Sequence, residues 1–164
     1  MSLVFGDEHR ILREQLARFV ATEVKPVAAR WEEEGMVPRA VLRRMGELGF
    51  LGLRVPEEYG GAGMDVRASV VLAEELGRST FGGFAVTVLV HTDMASPHLL
   101  HGGSEAQKRR WLPGIAKGEI VTAIAVTEPG AGSDVASIRT RAERRGGDWV
   151  INGAKMFITN GPEA

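Results

Sequence analysis

The spacing of apolar residues changes once along this 164-residue chain, near Gly118, and that change constrains the fold more than any other feature. Before it, apolar residues recur every three or four positions, which is typical of amphipathic helices. After it they alternate with polar residues, which is typical of half-buried strands. The sequence therefore predicts a mainly α chain, in which an all-α part, residues 1–119, precedes the first strands of an antiparallel β domain, residues 120–164.

Five helices are predicted before Gly118, with limits that follow from proline, glycine and capping residues. They cover about residues 7–24 with a continuation to 34 after Pro26, 38–48, 65–77, 82–100, and a stretch that begins at the capping box of Ser104 and Gln107. The residues expected to share one face are Leu12, Leu16, Phe19, Val20 and Val24 in the first helix, Val41, Leu42, Met45 and Leu48 in the second, Val66, Val70, Ala73 and Leu76 in the third, and Trp111, Leu112 and Ile115 in the fifth. The fourth helix is apolar on nearly every side, which predicts a buried, central position.

Four strands are predicted after Gly118. They are Ile120–Thr127, Ile138–Arg145, Trp149–Asn152 and Lys155–Thr159, with a tight turn at Gly146-Gly147-Asp148 between the second and third. A few short strands can neither close a barrel nor cover their own edges. We therefore expect the chain to stop partway through a β domain.

The composition excludes several classes of partner. The formal net charge of −1 predicts no nucleic-acid partner, because such partners require a basic surface. The longest apolar run, near Phe84 to Val90, is too short to span a bilayer, and the charge at Asp7 argues against a signal peptide. With no cysteine and no metal-ligand spacing among the four histidines, we expect no metal site. Because no apolar run is long enough to span a bilayer and the chain has no basic excess, we also expect no membrane partner. A cytoplasmic location is expected, since a cysteine-free chain is compatible with a reducing compartment.

The segment that follows the first predicted strand has the composition of a polar ligand site. It reads Thr127-Glu128-Pro129-Gly130-Ala131-Gly132-Ser133-Asp134. Small residues leave backbone N–H groups accessible to a ligand, and the hydroxyls of Thr127 and Ser133 lie at the two ends. The spacing matches neither the dinucleotide fingerprint nor the Walker loop. The segment therefore predicts a site for a phosphate group or for the polar edge of a cofactor.

Four stretches resemble the acyl-CoA dehydrogenase family, flavoenzymes that oxidise acyl-CoA thioesters to 2-enoyl-CoA. In chain order they are Val55–Gly63, Gln107–Pro113, Ala125–Asp134 and Ile151–Gly161, and the resemblance extends from about Asp7 to Gly161. It implies a helical N-terminal domain, the opening strands of an incomplete antiparallel β-barrel middle domain, and a helical C-terminal domain that this chain lacks.

The resemblance also implies FAD as the cofactor and assigns residues to it. The flavin contacts would be Ile124, Ala125, Val126, Thr127, Gly132, Ser133, Phe157, Ile158 and Thr159. In this assignment Thr127 reaches N5 or O4 of the ring, Phe157 lies against the ring face, and Thr159 lies near its edge. Ser133 would contact the CoA arm of the substrate or the flavin pyrophosphate. Many family members carry Trp where this chain has Phe157, so the stacking surface is kept and one N–H donor is lost.

Residue chemistry by itself leaves simpler roles open. Thr127 can end a strand, Ser133 can bond its own turn, and Phe157 can be a core residue that shares a strand face with Thr159. Glu128 is a candidate for the base that abstracts a proton next to a thioester. However, carboxylates in polar loops usually stay ionised and have structural roles. Because the resemblance places the catalytic Glu in the C-terminal domain, no catalytic residue is assigned to this chain.

The leading hypothesis is therefore FAD-dependent α,β-dehydrogenation of an acyl-CoA, in fatty acid metabolism, with the isolated fragment inactive. The family pattern implies an electron-transfer flavoprotein as the acceptor and a homo-oligomer, commonly a tetramer. One alternative keeps the fold but makes the protein a related flavin oxidase or monooxygenase. Another is a non-enzymatic interaction module with a vestigial flavin loop.

Overall fold

The structure is a computed structural model that describes residues 5–164, and it is mainly helical. Its α-helices are α1 (Asp7–Phe19), α2 (Ala28–Glu34), α3 (Arg39–Glu47), α4 (Val66–Gly77), α5 (Gly82–Leu89), α6 (Ser96–Gly102) and α7 (Glu105–Ala116). Two π-helical segments, Val20–Val24 and Val90–Ala95, extend α1 and join α5 to α6. Two strands, β1 (Arg141–Arg145) and β2 (Asp148–Asn152), form an antiparallel hairpin. The predicted fold class is confirmed.

The helices enclose one main apolar core. The face predicted for the first helix is confirmed, because Leu12, Leu16, Phe19, Val20 and Val24 are all buried. Phe19 meets Phe50 edge to face with ring centroids 5.7 Å apart, and Trp31 packs against Phe84. Two sequence-predicted ends are also confirmed, since Gly35 adopts the left-handed conformation after α2 and Ser104 forms the capping box with Gln107.

The inward faces of three helices differ from the prediction; in α7, Leu112 and Ile115 are buried but Trp111 is 39% exposed. In α4 the buried residues are Ala68, Val71, Leu72, Glu75 and Leu76, whereas Val66 is 58% exposed and Val70 and Ala73 lie off the core. The cause is long-range: Arg13 of α1 donates to the buried Glu75 carboxylate over 2.9 Å, so a charged residue occupies the inward face. Leu48, predicted to be buried, follows the last residue of α3 and is 37% exposed.

The fourth helix, apolar on nearly every side, was predicted to occupy a buried, central position, and this is wrong because one side of it is exposed. It is helical from Gly82 to Gly102, yet Val86 and Met94 are each about half exposed. Its buried side holds Phe84 and Val88 against the core. None of the helices in residues 5–164 is long and apolar enough to cross a membrane.

Of the four predicted strands, only the central hairpin forms. Its register pairs Arg144 with Trp149 and Ala142 with Ile151, and the two strands turn at Gly146 as expected. The predicted strand Ile120–Thr127 pairs with no other strand, because the N–H of Thr122 donates to His91 and its carbonyl accepts from Asn160. The predicted strand Lys155–Thr159 is interrupted at Phe157, whose φ of 55° is incompatible with extended backbone.

Candidate functional site

The two segments that sequence reasoning assigned to one site lie side by side. The backbone N–H of Met156 donates to the carbonyl of Thr127 over 2.9 Å, and the ammonium of Lys155 donates to the carbonyl of Val126 over 2.9 Å. These contacts join residues about 30 positions apart in the chain. The structure therefore brings Val126 and Thr127 next to the segment that carries Phe157.

A tight turn holds the loop after Thr127. The backbone N–H of Glu128 donates to the carbonyl of Ala131 over 2.9 Å, and the N–H of Ala131 donates back over 3.1 Å. Pro129 and Gly130 form the exposed tip of the turn, while Glu128 and Ala131 are buried beneath it. The loop is thus closed at its base by its own backbone, and its tip faces solvent.

The carboxylate of Glu128 is buried and saturated with donors. It accepts from the N–H of Arg139 over 2.7 Å and from the N–H of Thr140 over 2.9 Å, and it pairs with Lys155 at 3.0 Å. The Thr140 hydroxyl, these two backbone N–H groups and the Lys155 ammonium favour the charged form and lower the pKa of Glu128 to about 2. A carboxylate with such a pKa is a poor proton acceptor near neutral pH, so Glu128 is a structural anion.

The polar groups next to this turn are available to a ligand. Within residues 5–164, neither the backbone N–H groups of Val126 and Thr127 nor the hydroxyls of Thr127, Ser133 and Thr159 have a hydrogen-bond partner. The Phe157 side chain is 85% exposed, and its backbone is in the left-handed region that bulky residues rarely adopt. Unpartnered donors on one segment and an exposed aromatic ring on the segment bonded to it fit a flat, polar-edged ligand such as an isoalloxazine.

The other sequence-predicted site residues lie around these groups. Gly132 and Ser133 are exposed in the loop beyond the turn, and Ala125 is exposed at its start. Ile124, Ile158 and Thr159 are half-buried, and the carbonyl of Ile158 accepts from Gly161 in the final turn. The expectation that Phe157 and Thr159 share one face of a strand is wrong, since the backbone is not extended at Phe157.

Sequence reasoning missed the residues that fix the approach to the loop. The buried His91 accepts the N–H of Thr122 at Nδ1 over 3.1 Å, and its Nε2 lies 3.1 Å from the carbonyl of Ile115. The amide of Asn160 donates to the carbonyls of Thr87 and Thr122 over 3.0 and 3.1 Å. Because these partners are separated by 24 to 73 positions, the local pattern carries no signal of them.

Comparison with known proteins covers both parts of the chain. The family model described as "Acyl-CoA dehydrogenase, N-terminal domain" matches residues 6–119, and the model described as "Acyl-CoA dehydrogenase, middle domain" matches residues 123–164. The mitochondrial long-chain specific acyl-CoA dehydrogenase of Sus scrofa is 40% identical over 158 residues, which is 96% of this chain and 36% of that protein.

Solved structures agree in fold. The acyl-CoA dehydrogenase of Geobacillus kaustophilus superposes with a TM-score of 0.91 and 41% identity, over all of this chain and 43% of that one. A glutaryl-CoA dehydrogenase of Mycobacterium smegmatis, solved in complex with FADH2, superposes with a TM-score of 0.91 and 36% identity, over 98% of this chain and 41% of that one. The chain spans about two fifths of the length of these proteins. With helical and β parts each matched by their own family model, this chain belongs to the acyl-CoA dehydrogenase family.

Proposed function

We propose that the protein containing this chain is an FAD-dependent dehydrogenase that oxidises an acyl-CoA thioester to 2-enoyl-CoA. The observation that carries the proposal is that the segment of Val126 and Thr127, whose N–H groups have no hydrogen-bond partner, is bonded to the segment that carries the exposed Phe157. Family membership supports FAD as the ligand, since the relative from Mycobacterium smegmatis holds the reduced cofactor. FAD held there would supply the hydride acceptor for Cβ of the thioester, and a base would remove the proton at Cα.

In this proposal each residue of the site has a stated task. The N–H groups of Val126 and Thr127 and the Thr127 hydroxyl donate to the polar edge of the ring, where negative charge develops on reduction. Phe157 covers one face of the ring and excludes water from it. Ser133, exposed beyond the turn, binds the CoA arm or the flavin pyrophosphate. Ile124, Ala125, Gly132, Ile158 and Thr159 complete the wall.

The proton at Cα requires a base that this chain does not supply. Glu128 is excluded by its ion pair with Lys155 and its pKa of about 2. Asp134 is exposed and accepts from the hydroxyl of Ser137 at 2.5 Å. We therefore propose that the base lies in the part of the protein outside this chain, in keeping with the family resemblance. We also propose an electron-transfer flavoprotein as the electron acceptor and a homo-oligomeric assembly for the protein.

An anaerobic titration of the full-length, FAD-loaded protein tests the proposal. Long-chain, branched-chain and dicarboxylic acyl-CoA thioesters are added in turn while the flavin absorption near 450 nm is followed. We expect one class to bleach the flavin at stoichiometric amounts, and we expect the reduced protein to reoxidise slowly in air. Rapid reoxidation by oxygen would instead indicate an oxidase. A protein that binds no FAD would refute the proposal and leave the non-enzymatic alternative.

A further inference from the structure

One buried ion pair connects the two halves of the proposed flavin site. The Glu128 side chain is 7% exposed and the Lys155 side chain 20%, with 3.0 Å between the Glu128 Oε1 and the Lys155 Nζ. The two residues are 27 positions apart; Glu128 directly follows the site residue Thr127, and Lys155 lies two positions before the site residue Phe157. The pair is therefore placed to determine how one half of the site faces the other.

Glu128 is the point at which three segments meet. Its backbone closes the turn with Ala131, and its carboxylate accepts from the N–H groups of Arg139 and Thr140 at the entry to β1. The close approach of the chain at residue 153 to Thr140 requires a glycine, because a Cβ at Gly153 would lie 2.1 Å from the Thr140 hydroxyl. A carboxylate that satisfies this many donors in a buried position holds its neighbours in one arrangement.

Lys155 completes the connection from the other side. Its ammonium donates to the carbonyl of Val126 as well as pairing with Glu128, so it contacts the residues on both sides of Thr127. The neighbouring N–H of Met156 donates to the carbonyl of Thr127 itself. With these carbonyls engaged on one side, the N–H groups of Val126 and Thr127 remain accessible to a ligand.

We infer that Glu128 and Lys155 are a pair of positioning residues, which orient the N–H donors of Val126 and Thr127 and the ring of Phe157 for the flavin. The inference rests on the proposed function for the identity of the ligand. The left-handed backbone at Phe157 supports it, because an exposed aromatic residue keeps that conformation only where its surroundings hold it. Neither residue touches the reacting atoms in this role, and both act through the groups beside them.

The test is a double-mutant cycle in the full-length protein, with Glu128→Gln, Lys155→Met and the double variant. The readouts are the dissociation constant of FAD, the visible circular dichroism of the bound flavin and its midpoint potential. A conservative variant, Lys155→Arg, keeps the charge. The matched control is an exposed ion pair within β1, Arg141 and Glu143 at 2.8 Å, altered as Arg141→Met and Glu143→Gln.

We expect each single variant to raise the dissociation constant of FAD at least tenfold and to change the flavin dichroism and midpoint potential. The double variant should resemble either single one, because removing one partner already disables the pair. Lys155→Arg should recover most of the wild-type values, and the control variants should stay within twofold of them.

Three results would overturn the inference. The first is that both single variants keep the wild-type FAD affinity, flavin dichroism and midpoint potential. The second is independent effects that multiply in the double variant. The third is a lowered melting temperature with an unaltered flavin signal, which would indicate a purely structural ion pair. Wild-type protein that binds FAD but is not bleached by any thioester would contradict the proposed reaction and leave the inference standing, whereas wild-type protein without FAD affinity would refute both.

Discussion

At the scale of single residues, His91 shows how a buried polar group replaces a missing strand partner. A ring nitrogen that accepts an N–H cannot carry a proton, so Nδ1 is bare and Nε2 donates to the carbonyl of Ile115. Burial lowers the pKa of His91, because the charged form would lose its hydration and its bond to Thr122. The folded structure therefore requires the neutral form of the His91 ring.

This arrangement predicts a pH dependence of stability. Since the pKa of His91 in the folded protein lies below its ordinary value of 6.5, the unfolded chain binds more protons in the interval between the two. The stabilisation is fully present above about pH 6.5 and is lost as the pH falls towards the folded pKa, by at most about 1.4 kcal/mol per pH unit. We expect the melting temperature of wild type to fall between pH 7 and pH 5, and that of His91→Gln to fall less.

The control for that experiment is His101→Gln, since His101 is exposed at the end of α6. It should retain the wild-type dependence. Glu128 does not interfere, because its pKa is about 2 in the fold and its ordinary value is 4.5, so its contribution is lost only below about pH 4.5. Equal slopes for wild type and His91→Gln would contradict the role assigned to the neutral ring.

At the scale of elements, the contact between α3 and the turn after α7 depends on glycine. A Cβ at Gly46 would lie 2.1 Å from the carbonyl oxygen of Lys117, and a Cβ at Gly118, whose φ is 67°, would lie 2.4 Å from the carbonyl oxygen of Leu42. Real side chains do not tolerate such distances to rigid backbone. The helix and the turn can therefore approach this closely only where both lack a side chain.

We expect Gly46→Ala to destabilise the protein although alanine is the better helix former. The propensity gain is about 1 kcal/mol, whereas overpacking against fixed backbone costs about 1–3 kcal/mol or more, so the net change is a loss. The matched variant is Gly77→Ala at the end of α4, where nothing lies within 4 Å and a gain of up to about 1 kcal/mol is expected. Melting temperatures measure both changes, and a Gly46→Ala protein as stable as wild type would contradict the contact.

The same elements show what the sequence could and could not predict. Local signals were sufficient for the capping box at Ser104, the left-handed end at Gly35 and the hairpin turn at Gly146, because each depends on neighbouring residues. The buried face of α4 was mispredicted because Val70, Val71 and Leu72 allow two apolar faces, and the choice between them depends on packing against α1, including the pairing of Arg13 with Glu75. The composition of residues 127–134 predicted a polar ligand site, the flavin segment around Phe157 was found by resemblance, and the residue roles in both stay predictions.

At the scale of the whole molecule, Asn160 connects the helical part to the β part. Its amide donates to the carbonyl of Thr87 in α5 and to the carbonyl of Thr122 on the approach to the loop. Its φ of 66° is a left-handed conformation that Asn adopts more readily than most residues. One side chain thus holds α5, the Thr122 segment and the chain after Phe157 together.

Two substitutions of Asn160 separate the contribution of its side-chain hydrogen bonds from that of its left-handed backbone. Asn160→Gly keeps the backbone conformation and removes both hydrogen bonds; the Thr87 carbonyl keeps the N–H of Val90, whereas the Thr122 carbonyl loses its donor, at a cost of about 1–3 kcal/mol. Asn160→Ala adds about 1 kcal/mol of left-handed strain to that loss. Since 1.4 kcal/mol corresponds to a tenfold change in an opening equilibrium, hydrogen exchange at the Thr122 and Met156 amides should accelerate about tenfold in the glycine variant and further in the alanine variant.

Asn152→Ala, at the exposed end of β2, should leave both rates unchanged. If exchange at Thr122 and Met156 stayed at the wild-type rate in Asn160→Gly, the two parts of the molecule would be held together by packing, and the Asn160 amide would be incidental to the site.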